Sequence, residues 1–467
     1  MLNFNKRNKE MKRTKLIWLN IILSLFCTGC MKDFLDIKRE KSQVIPSKLE
    51  DYLALLDYNL NYNFPCQIGE VGSDDYYVLE GQWSSLTNAV HKNAYIWAKE
   101  IYEGDEGYDW NRGYEKILIA NFVLEGVLKI QETSQNKILR DEILGSAHFY
   151  RGTIFFMLAQ LYCEQYNSQQ SNQLLGLPLR KTSNINDRYK RSTLEETYVL
   201  IIEDLIQAIN LLPQETVVNT RPNRKAALAM LSNIYLQKGE YDLALKCADE
   251  TLKSGTTLLD YNKINTSVNS PFPLYGQGNS EILFYSHTTS PQILGTARLI
   301  VDSILYKSYE NYDLRKVAFF RLLNGNYTFK GHYSGIVAFL FCGITTSETL
   351  LVRAECRVRL NDLKGAREDL NLLRTNRLRK ESYVPLDSNI SKSTLFLEVI
   401  NERRKELVYR GKRWYDLKRF SSEIELAKSL ERNIGGLKYT LPIGDNRWIW
   451  PIPTDVIKLG GIEQNKR

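Results

Sequence analysis

The sequence predicts a mostly α-helical protein, a tetratricopeptide (TPR)-like helical scaffold interrupted by a region of loops and short strands. Three observations carry this. The first is an internal repeat. Lys225–Lys253 carries Leu228, Leu231-Ser232, Tyr235, Gly239, Tyr241 and Ala244, the TPR helix–turn–helix spacing in which small residues let two helices cross closely. Shifted by 122 residues, Ala354, Arg357, Asn361, Leu363 and Ala366 fall on Ser232, Tyr235, Gly239, Tyr241 and Ala244. Thr349–Leu378 is therefore a second, more degenerate unit. Units so far apart are not expected to stack as one simple solenoid, and a globular body is expected between them. The second observation is that intervening stretch, residues 258–345. It is rich in Asn, Ser, Thr, Gly and Pro, with short β-prone runs at Glu281–Tyr285, Tyr327–Phe329 and Ile336–Cys342. The third is Asn401–Phe420 with the residues leading into it, where Phe396, Ile400, Leu407, Trp414 and Leu417 share the apolar face of one amphipathic helix.

Taken in order, residues 1–29 read as a signal peptide. A basic segment precedes the apolar run Leu16–Phe26, eleven residues and too short to span a bilayer. A start at Met11 instead of Met1 would give a conventional signal length. The run ends in Cys27-Thr28-Gly29-Cys30, which resembles a bacterial lipobox cut before Cys30, so Cys30 is the expected lipidation site. A C-x-x-C redox or metal pair fits poorly, since no partner pair follows. Residues 30–46 would then be a lipidated tether. The formal charge of +8 falls to +3 once residues 1–29 are removed, and no basic patch is interleaved with exposed aromatics. Nucleic-acid binding is not expected. The remaining cysteines, Cys66, Cys163, Cys247, Cys342 and Cys356, are odd in number and sit mostly in apolar patterns, so buried free thiols are expected.

Residues 47–257 read as a helical N-terminal part with TPR-like units. Ser47, with Glu50 completing a capping box, opens a helix through Tyr58. Gly69–Gly81 reads as a loop. Helices are expected at Tyr114–Ile130 and Leu139–Tyr166, and a third follows Ser192, capped with Glu195. The aromatic-dense stretch Trp83–Tyr114 is either core or a sugar-stacking platform. Trp97, Trp110 and Tyr114 are read as core. Tyr76, Tyr77 and Trp83, in or beside the Gly-bounded loop, are candidate ligand contacts, as are Tyr327 and Tyr333 in the irregular region 258–345. The apolar run Gly335–Ile344 reads as a buried strand. Residues 346–467 hold the second TPR-like unit and the closing helix. There Glu402, Glu406 and Arg413 form a charged stripe expected to make partly buried carboxylate–guanidinium pairs. Lys418 is expected on the solvated side.

The closing helix also resembles the C-terminal signature of the SusD/RagB family, E-R-R-x-E-L-x-x-E-G-x-R-W-x-D-L. Every named position from Glu402 to Leu417 matches except Arg410, where the family has an acid. Ala147–Gly152, Asn279–Phe284, Leu350–Arg377, Trp448–Pro453 and Gln464-Asn465 resemble further family motifs. Met31–Ile37 is similar to the tether after the lipidated cysteine in SusD-like proteins of Bacteroidetes-type bacteria. The resemblance implies a lipid-anchored outer-membrane protein facing outside, partnered with a SusC-like TonB-dependent transporter. It would bind a glycan, or in some relatives peptide material, and pass it on without chemistry.

Catalytic motifs are scarce. The four histidines, His91, His148, His287 and His332, lack H-E-x-x-H spacing, and no G-x-S-x-G elbow or phosphate loop appears. A glycosidase carboxylate pair would meet only in the fold. No enzyme activity, cofactor or metal is expected. The Gly104–Asp109 loop has clustered oxygens that could hold Ca²⁺, but it misses the EF-hand spacing and reads better as a solvated turn. The rival reading is a TPR-type scaffold lipoprotein of the outer membrane without nutrient binding.

Overall fold

Capping residues and left-handed turns cut the chain into antiparallel helices, and each helix then buries a stripe against the next. The computed structural model describes residues 46–59, 64–253 and 255–467. The expected signal peptide, Cys30 and all but the last residue of the expected tether lie outside them. Lys48–Arg467 forms one compact unit. Its long helices are α1 (Leu49–Asn59), α2 (Tyr108–Leu128), α3 (Lys137–Tyr162), α4 (Leu194–Leu211), α5 (Arg224–Lys238), α6 (Tyr241–Leu252), α7 (Thr346–Arg359), α8 (Leu363–Thr375) and α9 (Lys392–Glu406), with the shorter α10 (Arg413–Arg419) last.

Local chemistry explains the boundaries. Thr193, not Ser192, caps α4: its Oγ1 accepts from the Glu196 N–H at 3.1 Å, and Glu196 accepts from the Thr193 N–H at 2.8 Å. Ser192 is unavailable because its hydroxyl donates to Leu177 O at 2.9 Å. Asn223 caps α5, Thr345 caps α7, Asp362 caps α8 and Ser391 caps α9. Helix α5 ends at Gly239 with φ +78°, and Asn361 takes the matching left-handed place, φ +71°, between α7 and α8.

The two repeat units stack directly, contrary to the expectation of a body between them. Leu236, Ala244 and Ala248 of α5–α6 form one buried cluster with Val352 and Cys356 of α7. Asp249 pairs with Arg353 at 3.3 Å and with Arg357 at 3.4 Å across the same seam. Helices α1 to α9 thus pack in succession, α6 meeting α7, and residues 258–345 are an excursion from one seam of the stack.

Short two-stranded antiparallel sheets dress this stack, six of them among the described residues. Phe339–Phe341 pairs with His287–Thr289, and Ile344–Thr345 with Ile282–Phe284. Asn326–Phe329 pairs with Phe320–Leu323. A hairpin of Leu430–Ile434 and Leu437–Leu441 turns on Gly435-Gly436, both at positive φ. The Gly69–Gly81 segment is no simple loop. It contributes to the short helix Gln67–Gly72, the strand Tyr76–Tyr77 paired with Ile300–Val301, and the helix Glu80–Ser84.

The closing run is two helices, not one. Tyr409 at φ +55° and Gly411 at φ +72° break it. A Cβ on Gly411 would sit 3.0 Å from Cys66 Cβ, and the Gly411 N–H donates to Glu70 Oε1 at 2.7 Å. Ile400, Leu407, Trp414 and Leu417 are buried all the same. Lys418 is also buried, donating to Gln160 O at 2.8 Å and Cys163 O at 2.6 Å. Cys66, Cys163, Cys342 and Cys356 are buried free thiols and Cys247 is half-buried.

Candidate ligand-binding surface

The charged stripe is sorted by the turn at Gly411 into separate pairings. Glu402 and Glu406 have no exposed side-chain surface and reach outward from α9 to other segments. Glu406 takes Arg377 Nε at 3.0 Å, Arg377 Nη2 at 2.9 Å and Arg315 Nη1 at 3.1 Å. Glu402 pairs with Arg315 and, at 2.9 Å, with Arg374 Nε. Arg377 continues to Glu281 at 2.6 Å and Arg315 to Asp313 at 2.8 Å. Burial alone would raise Glu406, but the guanidiniums of Arg377 and Arg315 hold it down at about 2. Arg413 does not join this network. It binds Asp74, Nε to Oδ1 at 2.6 Å and Nη2 to Oδ2 at 3.0 Å. Arg410, the departure from the signature, lies with its guanidinium carbon 3.7 Å from the Tyr333 ring centroid and 3.8 Å from Glu406 through Nη2. The network ties the irregular region to α8 and α9 and so fixes the loops that α9 faces.

The five candidate rings divide by burial. Tyr333 is 1% exposed, its hydroxyl 2.6 Å from that of Tyr261 and donating to Glu281 at 2.9 Å. It is core, not a ligand platform. Tyr76 is likewise buried, donating to Val71 O at 2.8 Å, because successive strand residues face opposite ways. Its neighbour Tyr77 is 39% exposed. Trp83 is half-buried, its Nε1 donating to Lys92 O at 3.0 Å with Lys92 Nζ 4.9 Å from the ring centroid. Tyr327 is 37% exposed and stacks on Tyr306, ring centroids 3.8 Å apart at 19°. Trp97 and Trp110 are buried and Tyr114 is half-buried against them, as core.

One loop touches the residues that flank the accessible rings. Gln82 Nε2, next to Trp83, donates to Ala297 O at 2.8 Å. Thr328 Oγ1, next to Tyr327, donates to Thr296 O at 3.0 Å. Tyr77 pairs in register with Ile300, a few residues on. Tyr306 and Lys92 were missed from the sequence, since only the fold sets them against Tyr327 and Trp83. The Gly104–Asp109 loop spends two of its carboxylates on backbone. Asp105 accepts from Ala89 N at 3.2 Å, and Asp109 from Gln67 N at 3.1 Å and Ile68 N at 2.7 Å. Among the described residues no group of His, Cys, Asp and Glu is arranged to hold a metal, and no helix is long and apolar enough to cross a membrane.

A SusD-like family model described as starch-binding and associating with the outer membrane matches residues 33–236, and the SusD family model matches residues 344–466. The chain belongs to the SusD/RagB family. No curated protein matches it. Among solved structures it is similar to a putative sugar binding protein from Bacteroides vulgatus, 22% identical, with a TM-score of 0.73 over 90% of this chain and 99% of that one. A SusD superfamily protein from Bacteroides thetaiotaomicron is similar at 22% identity and a TM-score of 0.73, over 90% and 100% of the two chains. A SusD-like carbohydrate binding protein from Bacteroides vulgatus is 18% identical, with a TM-score of 0.66 over 89% and 97%. At these identities the structures establish a shared fold, and both halves of the SusD/RagB chain take part in it.

Proposed function

We propose that this SusD/RagB chain is a cell-surface lipoprotein that captures a glycan and delivers it to a SusC-like TonB-dependent transporter in the outer membrane, without chemistry. The carrying observation is that segments bearing the accessible rings Tyr77, Trp83 and Tyr327, the last stacked on Tyr306, all contact the 296–300 loop of a SusD-type fold. Flat rings accept the apolar faces of sugars at small entropic cost, and loops held on a rigid helical stack are where binding groups concentrate. Lipidation at Cys30 would supply the anchor. Three acyl chains at about 0.8 kcal/mol per buried methylene far exceed the marginal grip of one.

The test has two arms. Isothermal titration of the purified protein against neutral and acidic oligosaccharides and a peptide panel should find a glycan ligand. Affinity purification from the native envelope should recover a TonB-dependent barrel, and Cys30→Ser should release the protein from membranes. A protein that binds no glycan and holds no barrel would end this reading.

The scaffold reading draws on one feature. A groove of about 930 Å³ on α5 and α6 is lined by Leu228, Leu231, Tyr235, Leu243 and Leu245. Recovery of envelope proteins other than a TonB-dependent barrel, with no glycan binding, would favour it.

A further inference from the structure

Gln67, Asn88, His91 and Ser290 help line a cavity of about 230 Å³. Gln292 Oε1, next to the lining residue Pro291, accepts the Thr87 N–H at 3.2 Å and the Asn88 N–H at 3.4 Å and so ties two of the cavity's walls. Its floor is Ile68, Tyr102, Asp109 and Tyr162, all buried. Asn88, Glu106 and Tyr108 line it and also line an open groove of about 520 Å³ that continues past Asn111 and Arg112 to Glu115. The space is therefore closed at one end and continuous with a trough at the other. A water's share of liquid volume is about 30 Å³, so the cavity is on the scale of roughly eight waters, suited to a single sugar ring.

Its chemistry is one-sided. Asp105, Glu106 and Glu115 stand around cavity and groove, with Arg112 bonded to Glu115 at 2.8 Å, while Asp109 on the floor is raised to about 7 by burial and has its oxygens on the Gln67 and Ile68 N–H groups. His91 adds no positive charge at neutral pH, because burial lowers it to about 4. His91 Nδ1 and Ser290 Oγ have no hydrogen-bond partner among the described residues, so the wall keeps neutral bonding capacity. The Asp105 and Glu106 carboxylates, beside tyrosine rings, can accept from hydroxyls and from ammonium groups, whereas a carboxylate, sulfate or phosphate here would face their repulsion, the lining cation Arg112 being paired with Glu115.

We infer that this cavity holds the single terminal residue of a glycan chain, that the residue is neutral or amino-substituted and not anionic, and that the chain leaves along the groove. The inference rests on the glycan reading above and specifies which part of the glycan is read.

The test uses full-length mature protein, isothermal titration, and maltohexaose, xylohexaose, mannohexaose, chitohexaose and hexagalacturonate as probes. The wild type should bind at least one of the first four and not hexagalacturonate. Ser290→Trp, which fills the cavity, and Glu106→Lys, at its exposed lip, should each weaken that binding by about tenfold or more. Glu106 is exposed, so its variant keeps the test alive should Ser290→Trp fail to fold by circular dichroism. If the wild type binds none of the probes, the glycan reading falls and this one with it. If it binds a neutral hexamer and the folded variants bind within twofold of wild type, only the cavity assignment falls. Preference for hexagalacturonate also overturns the cavity assignment while leaving glycan binding intact.

Discussion

Arg377 and Glu406 face each other through two hydrogen bonds, Nε to Oε2 at 3.0 Å and Nη2 to Oε1 at 2.9 Å, with neither side chain touching solvent. Such a pair does little for net stability compared with apolar packing, but removing one partner leaves a buried charge alone. Arg377→Met and Glu406→Gln should each cost about 3–5 kcal/mol in urea denaturation at neutral pH. A loss below about 1 kcal/mol would mean that solvent reaches the pair. The same pair predicts acid sensitivity. Glu406 sits at about 2 in the fold, below its ordinary value of 4.5, so its contribution is complete above 4.5 and is lost as pH falls toward 2. Melting temperature should drop between pH 5 and pH 3, and the drop should be smaller in Glu406→Gln.

Glu70 predicts the opposite edge. Burial, with Asp75 adding to it, raises Glu70 to about 8 against the hydrogen bond from Gly411. A raised folded value contributes stability below 4.5 that is lost as pH climbs through about 8. Glu70→Gln keeps an acceptor for the Gly411 N–H and removes the ionisation. Its melting temperature should exceed that of wild type at pH 9 and match it at pH 5. Parallel curves for the two proteins from pH 5 to 9 would show that Glu70 stays ionised throughout.

What could be read from the sequence, and what could not, follows from how local each signal is. The TPR-like hairpins were legible because the turn position, Gly239 or Asn361, and the small residues beside it lie within one short window. The direct seating of α7 on α6 was not. It depends on Ala248 meeting Val352 across about a hundred residues of excursion, which no spacing rule reports. In the closing run the charged residues stood out, but their partners Arg315, Arg377, Asp74 and Glu281 come from distant segments. Arg410 looked like a lost acid. The ring of Tyr333 receives its charge, so the same contact that explains Arg410 removes Tyr333 from the ligand surface.

That division of the rings is itself testable. Trp83→Ala and Tyr327→Ala should weaken glycan binding by about tenfold or more, about 1.4 kcal/mol, in proteins that still fold by circular dichroism. Tyr333→Phe should behave the other way. It removes a hydroxyl that serves Glu281 and Tyr261 in the core, so it should cost about 1–3 kcal/mol of stability and leave binding within twofold. Titration and urea denaturation on the same three proteins decide the matter. Weak binding by Tyr333→Phe with unchanged stability would move the ligand site to Tyr333 and its partners Tyr261 and Glu281.

The matched turns of the two repeat units give a final check on how the helical stack is built. Gly239 at φ +78° and Asn361 at φ +71° hold the same left-handed place, and a Cβ on Gly239 would meet nothing nearer than Tyr241 Oη at 3.9 Å. Any cost of Gly239→Ala is then backbone strain alone, about 1–2 kcal/mol, and Asn361→Ala should cost a similar amount. Asn361→Gly should be close to neutral, because glycine needs no local side-chain hydrogen bond to enter that region. The two alanine variants lie in different hairpins, so their urea-denaturation losses should add within about 0.5 kcal/mol. An Asn361→Ala variant as stable as wild type would mean that the second turn relaxes to an ordinary conformation, and that its match to the first is only one of sequence spacing.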